Sequence, residues 1–199
     1  MRFFIGDKEE RLARRLQSGE NAALKDFYTL YADYLAGVCA RYIADDEDLK
    51  DVFQDAMVNI ISHIRDFQYR GAGSLQAWAT KTAVNQSLRF LRKKHHTEFT
   101  PLDRDVADEV EEDEDPSISD LPPEVLHQMI RELPVGYRTV FNLYVFEDKS
   151  HREIAQILGI GESSSASQLN RAKKMIRSIL YNNKISYADG REMERKLAE

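Results

Sequence analysis

The sequence predicts an all-α protein, built as two helical domains joined by an acidic linker, and three observations predict it. Apolar residues recur at steps of three and four over long stretches on both sides of the chain's centre, and no stretch shows a convincing period of two. Most glycines fall at or near the joints between these stretches. Between the two halves lies a segment, VADEVEEDEDPSISDLPPE, with few apolar residues, a run of like charge and three prolines, Pro116, Pro122 and Pro123. Such a composition favours a solvated tether over a core. The expected domains are residues 1–97 and 122–181, with a linker over 98–121 and a C-terminal extension over 182–199.

Helices are expected over 8–17, 20–43, 46–66 and 74–95 in the first half, then 122–132, 136–147, 150–158 and 162–180 in the second. In the second helix Phe27, Leu30, Tyr31, Tyr34, Leu35 and Val38 read as one continuous bundle-core face. Cys39, the only cysteine, sits among Leu35, Val38 and Tyr42 and reads as buried packing; an intramolecular disulfide and a cysteine-rich zinc module are excluded. The third helix carries Val52, Met57, Ile60, Ile61 and Ile64 on its apolar side, and an acid-rich polar cluster of Asp51, Gln54 and Asp55. From spacing alone that cluster is a solvated helix face.

After it come Phe67, Tyr69, Arg70, Gly71, Gly73 and Ser74, a loop broken by glycines that holds aromatics and a base. Ser74 is expected to cap a helix carrying Trp78, Lys81, Asn85, Gln86, Arg89, Arg92, Lys93 and Lys94. Rings interleaved with bases and amides suit single-stranded DNA, because nucleobases stack on rings while phosphates track the positive edge. Trp78 also fits a core pattern with Leu75, Ala79, Thr82, Ala83 and Leu88, and core is its expected primary role.

A net charge of −6 argues at first against a nucleic-acid partner. Its distribution reverses the argument. Residues 103–120 hold ten acids and one base, a local charge of −9, so the rest of the chain carries +3. Residues 67–97 have six bases and no acid, and residues 163–188 have five bases and no acid. Phosphate attraction acts locally at each zone. Asp113 to Asp115 lack the spaced ligands and glycine of a calcium loop, and no metal or other cofactor is expected. No apolar run approaches the roughly 20 residues that span a bilayer, and the start MRFFIGDKEE turns acidic too early for a signal peptide, so the expected location is the cytoplasm.

Residues 150–179 are written as a helix-turn-helix. Ser150 and Glu153 have capping-box spacing, Ile154, Ala155, Ile157 and Leu158 supply a buried face, Gly159 ends the helix and Ile160 plugs the turn. The second helix begins near Gly161 or Glu162, buries Leu169, Ala172, Ile176 and Ile179, and leaves Ser163, Ser164, Ser167, Gln168, Arg171 and Lys174 largely outward. A helix of this kind suits a major groove. Helix pairs with a central glycine also occur as plain structural hairpins.

Three blocks, in order, resemble the bacterial extracytoplasmic-function sigma factors. DVFQDAMVNI at 51–60 is similar to the acidic segment that docks on the clamp helices of RNA polymerase; YRGAGSLQAWATKTAVNQSLRFLRKK at 69–94 is similar to the segment that melts promoter DNA and reads the minus-10 element on the non-template strand. IRELPVGYRTVFNLYVFEDKSHREIAQILGIGESSSASQLNRAKKMIRSIL at 130–180 is similar to the region that reads the minus-35 element as duplex. The resemblance implies that Asp51, Gln54 and Asp55 face polymerase, and that the loop with Phe67, Tyr69, Arg70 and Ser74 holds a flipped base. It further implies that Asn85, Arg89, Arg92 and Lys93 follow the non-template backbone. Ser163, Ser164, Ser167 and Gln168 then belong to the base-reading helix, with Arg152, Arg171 and Lys174 on phosphates.

The implied partners are core RNA polymerase, promoter DNA and an anti-sigma factor; the free chain is expected to be a monomer with no small-molecule substrate and no enzymatic activity. Gly161 and Ala166 depart from the family pattern, which often has a stronger cap and a lysine there, and Met57 stands where phenylalanine is frequent. Rival readings are a stand-alone helix-turn-helix regulator, a helical-bundle nuclease or phosphohydrolase using His63, His95 or His96, and a protein-interaction adaptor. The first needs a sensor domain or dimer interface, which residues 1–65 do not clearly offer. The histidines lack the paired spacing of a metalloprotease helix.

Overall fold

The computed structural model describes the backbone of residues 3–94 and 123–197 and the side chains of residues 8–94 and 125–181; the linker expected over 98–121, with His95 and His96, lies outside the described residues. The chain divides into two units, Met1–Lys94 and His95–Glu199.

In the first unit α1 (Phe3–Gln17), α2 (Asn21–Tyr42), α3 (Asp46–Ser62), a single 3-10 turn (Ile64–Asp66) and α4 (Ser74–Lys94) follow in order. The joint between α1 and α2 is Gly19, at φ +78°, where a side chain would be strained. Arg15 then bridges Glu20 and Asp26, at 2.6 and 2.7 Å, which ties the end of α1 to α2. Asp45 starts α3 by accepting the N–H groups of Glu47 and Asp48, at 3.0 and 2.9 Å, and three acids fill the first turn, where the helix dipole favours them. Helix α4 packs on both α2 and α3. The core between them is Phe27, Leu35, Tyr42, Val52, Ala56, Ile60, Leu75, Ala79, Ala83 and Leu91, all buried.

Two members of the expected α2 face are corrected. Leu30 is 65% exposed and Tyr34 45% exposed, whereas Phe27, Leu35 and Val38 are buried. The reason is rotation: Leu30 and Tyr34 each precede an inward position, Tyr31 and Leu35, by one residue, and one residue turns a helix by roughly 100°. Cys39 is fully buried, as its neighbours implied, and burial pushes its thiol pKa up. Helix α3 also ends sooner than expected, at Ser62. The side-chain amide of Gln17 donates to the carbonyls of Ile64 and Phe67, at 3.2 and 2.7 Å, which ties the turn after α3 to the end of α1. Val52, Ile60 and Ile64 are buried as expected, while Met57 and Ile61 are half-buried.

The second unit consists of α5 (Pro123–Glu132), α6 (Val135–Val145), α7 (His151–Leu158) and α8 (Glu162–Leu197). Its core is built from Met129, Ile130, Leu133, Val140, Phe141, Leu143, Ile154, Leu169, Ala172 and Ile176. Arg138, buried near the α5–α6 turn, donates to the Arg131 carbonyl at 3.0 Å. The long α8 passes the expected end at 180: residues 181–188 hold neither proline nor glycine, so nothing stops it there. The extension over 182–197 is therefore helical backbone.

Candidate nucleic-acid interface

In the first unit a cleft of about 550 Å³ opens where the loop after α3 meets the start of α4. Phe67, Arg70, Ser74, Trp78 and Lys81 line it, with Asp66 at its edge. Phe67 is buried, and its ring packs on Trp78 with centroids 5.3 Å apart and planes tilted by 47°. Trp78 is half-buried, so it serves as packing on one side and as cleft wall on the other. Tyr69, also half-buried, stands outside that lining.

Ser74 is not the cap that its position suggested. It is the first residue of α4, and its Oγ turns back to accept the Arg70 N–H at 3.2 Å. The cap comes from α1: the Glu9 carboxylate accepts the N–H groups of Gly73, Leu75 and Gln76, at 2.5, 2.9 and 3.1 Å. Sequence reasoning missed Glu9 because its partners lie more than sixty residues away and no local pattern marks it.

From Lys81 at the cleft, a polar stripe runs along α4 through Asn85, Arg89 and Arg92, with Lys93 beside it, all of them exposed. Eleven residues of helix make this stripe roughly 16 Å long. Lys94 is drawn away from it, paired with Asp48 and lying 5.6 Å from the centre of the Phe90 ring. On α3, Asp51, Gln54 and Asp55 are all exposed. Asp55 accepts from the Gln86 amide at 3.0 Å, and the oxygen of that amide accepts from Asn59 at 3.0 Å. The acidic face of α3 and the polar face of α4 are thus held side by side.

In the second unit α7 begins with a complete capping box. Glu153 donates its N–H to Ser150 Oγ at 3.3 Å, and its carboxylate accepts the Ser150 N–H at 2.9 Å and the Ser150 hydroxyl at 2.8 Å. Gly159 ends the helix at φ +70°, in the left-handed region. Of the expected α7 face, Ile154 and Leu158 are buried while Ala155 and Ile157 are only half-buried, because α7 has eight residues and one edge towards the core. On α8, Leu169, Ala172 and Ile176 are buried and Ile179 is half-buried.

The expected DNA-facing residues separate into two sets. Arg152, Ser163, Ser167 and Lys174 are exposed, and Ser164, Gln168 and Arg171 are half-buried. Gln168 Oε1 is buried without a hydrogen-bond partner, and Arg171 donates to the Tyr137 hydroxyl at 3.4 Å. Ser165, which sequence reasoning passed over, is fully buried and within 3.0 Å of His151 Nδ1, whose ring stacks on Tyr144 at 5.0 Å.

The capping box carries a pH dependence. The Ser150 backbone N–H foremost, then its hydroxyl and Lys149, hold the Glu153 carboxyl below its ordinary value of about 4.5. A carboxyl lowered by folding adds stability that is present above its unfolded value and lost as pH falls through the folded one. Melting of α7, followed by NMR against pH, is expected to drop in midpoint below about pH 4.5, and Glu153→Gln is expected to flatten that part of the profile. An unchanged profile in the variant would exclude this carboxyl as its source.

Among the described residues no helix is long and apolar enough to cross a membrane. A family model described as Sigma-70 region 2 matches residues 27–97, and one described as Sigma-70, region 4 matches residues 124–176. The chain is 24% identical over 184 residues to the RNA polymerase sigma-H factor of Pseudomonas aeruginosa, covering 87% of this chain and 94% of that one. It is 25% identical over 178 residues to the ECF RNA polymerase sigma-E factor of Haemophilus influenzae, covering 84% and 93%. A solved structure, CnrH in complex with the cytosolic domain of CnrY, aligns at 20% identity with a TM-score of 0.46, over 86% of this chain and 96% of that one.

Proposed function

The chain belongs to the sigma-70 family of RNA polymerase sigma factors, in its extracytoplasmic-function class, and from that premise we propose how its two units share promoter recognition. It is a transcription initiation factor that directs RNA polymerase to specific promoters, and the chemistry of RNA synthesis belongs to the polymerase. In our reading residues 1–97 dock on polymerase through Asp51, Gln54 and Asp55 and open the minus-10 element, residues 122–181 read the minus-35 element, and residues 98–121 tether the two.

The observation that carries this reading is the cleft floored by Phe67 and Trp78 at the head of a basic stripe. Extruding one nucleotide costs a few kcal/mol of stacking and pairing, and stacking on a protein ring returns about 1–3 kcal/mol. Arg70 and Lys81 flank the cleft, and Asn85, Arg89, Arg92 and Lys93 continue along the strand's phosphates. In the second unit Ser163, Ser164, Ser167 and Gln168 approach base edges, while Arg152, Arg171 and Lys174 hold phosphates. Gln168 Oε1 has no bond to surrender when it turns to a base. Neither unit need bind promoter DNA strongly alone: polymerase sets their spacing, and only then does the tether turn two weak contacts into one bivalent event, so protein free of polymerase binds promoter DNA poorly. The chain works in the cytoplasm, as a monomer until it meets polymerase, and is held in check by an anti-sigma partner.

Trp78→Ala tests the cleft. Holoenzyme with this variant is expected to bind a single-stranded non-template minus-10 oligonucleotide about tenfold more weakly, the loss of one stacked base, and to bind minus-35 duplex as before. Unchanged oligonucleotide binding would remove the cleft from the mechanism.

A further inference from the structure

We propose that α1 is a positioning clamp for the base-binding cleft, with Glu9 and Gln17 as its two jaws; this rests on the reading of the cleft given above. The loop that forms the cleft leaves the 3-10 turn at Phe67 and enters α4 at Ser74. Gln17 holds the entry, through its bonds to the carbonyls of Ile64 and Phe67. Glu9 holds the exit, through three N–H groups. The two residues stand eight positions apart on α1, roughly 12 Å along the helix axis.

Between the jaws the loop makes two bonds of its own at its exit, from the Ser74 N–H to the Gly71 carbonyl at 3.1 Å and from the Arg70 N–H to Ser74 Oγ at 3.2 Å. Gly71 and Gly73 sit at φ +121° and +87°, and glycine leaves many alternatives open to a free loop. Both of its ends are fastened from outside, by α1. The fastening is also specific to a carboxylate. Oε2 of Glu9 accepts from Gly73 while Oε1 accepts from Leu75 and Gln76, so both oxygens are in use. Glu9 is only 7% exposed, and a charge so buried is tolerated only when hydrogen-bonded; here it also meets the positive end of α4. An amide in its place offers one acceptor and turns N–H groups towards N–H groups.

The clamp reaches the cleft through adjacent residues. Ser74 lies between Gly73 and Leu75, both bonded by Glu9, and its Oγ fixes the Arg70 N–H; Ser74 and Arg70 both line the cleft. Phe67, whose carbonyl Gln17 holds, supplies the buried ring. Helix α1 ends before residue 27, where the region 2 match begins. Glu9 and Gln17 touch no base in this account; they set the geometry of the residues that do.

The test uses full-length protein bound to core RNA polymerase and a set of single-stranded non-template minus-10 oligonucleotides, each with one abasic position. Wild-type holoenzyme is expected to lose about tenfold in affinity at one position, that of the captured base. Glu9→Gln is expected to erase the penalty at that position alone, keeping the profile elsewhere and the affinity for core, and Glu9→Asp to keep part of it. If Glu9→Gln does not fold, as judged by circular dichroism, Gln17→Leu is expected to erase the same penalty. General loosening would instead weaken every position together. A folded Glu9→Gln or Gln17→Leu that keeps the full single-position penalty overturns the clamp. A wild-type profile flat at every position overturns the cleft reading, and the clamp with it.

Discussion

Replacing both Asp51 and Asp55 with lysine is expected to weaken binding to core RNA polymerase by about 100-fold or more, because setting like charge against like at an interface costs several kcal/mol. The two carboxylates are exposed on α3, so the substitution leaves the bundle core of Val52, Ala56 and Ile60 untouched. Asp55 gives up its bond from Gln86, an exposed contact whose loss the fold tolerates. Thermal melting should accordingly stay close to that of wild type while core affinity, measured by fluorescence anisotropy, collapses. Asp33→Lys, an exposed acid on α2, is the control for charge alone and is expected to have little effect. If the double variant binds core as wild type does, the acidic face of α3 is solvated surface and polymerase docks elsewhere.

Phe141→Ala is expected to remove promoter recognition while sparing polymerase binding. Phe141 is fully buried in the second unit and meets Phe146 edge to ring at 6.3 Å. Truncating a buried phenylalanine costs about 3–5 kcal/mol, and whole domains are stable by only about 5–15 kcal/mol. A small four-helix unit loses most of its margin. Hydrogen exchange is expected to rise throughout α6, α7 and the start of α8, and minus-35 duplex binding by the holoenzyme to fall to the non-specific level. The first unit, with its own core, is expected to keep its exchange pattern and its hold on polymerase. Coupled loss of protection in both units would show that they do not fold independently.

The eight α-helices of the described residues were legible in the sequence because they bury a stripe at helical period and most are bounded by residues with a clear job, such as Gly19, Asp45, Ser150 and Gly159; the 3-10 turn Ile64–Asp66, read as part of the third helix, and the start of α1 at Phe3 rather than at residue 8 were not. The helix-turn-helix was read nearly whole for the same reason: its capping box and left-handed glycine are encoded within ten residues. What escaped was long-range or rotational. Glu9 and Gln17 reach across the bundle to backbone groups around the loop, and backbone groups leave no signature in side-chain patterns. Leu30 and Tyr34 are apolar yet exposed, since a helix face is set by angle and a list of apolar residues does not rank the angles. Trp78, expected primarily as core, is core on one side only, packed on Phe67 and open to the cleft on the other. Ser165 looked like one serine of several, and only the packing of α7 against α8 separates it from Ser163, Ser164 and Ser167.

The most direct test of the whole account is reconstituted transcription. Core RNA polymerase from the source bacterium, fragmented genomic DNA and nucleotides are incubated with and without the purified chain, and the 5′ ends of the transcripts are sequenced. The expected result is a set of new start sites that appear only with the protein, share two upstream elements at fixed spacing, and vanish with the Asp51 and Asp55 double variant. Tight binding of the chain to promoter fragments without polymerase, together with no new start sites and no binding to core, would contradict a sigma factor and identify a stand-alone DNA-binding regulator.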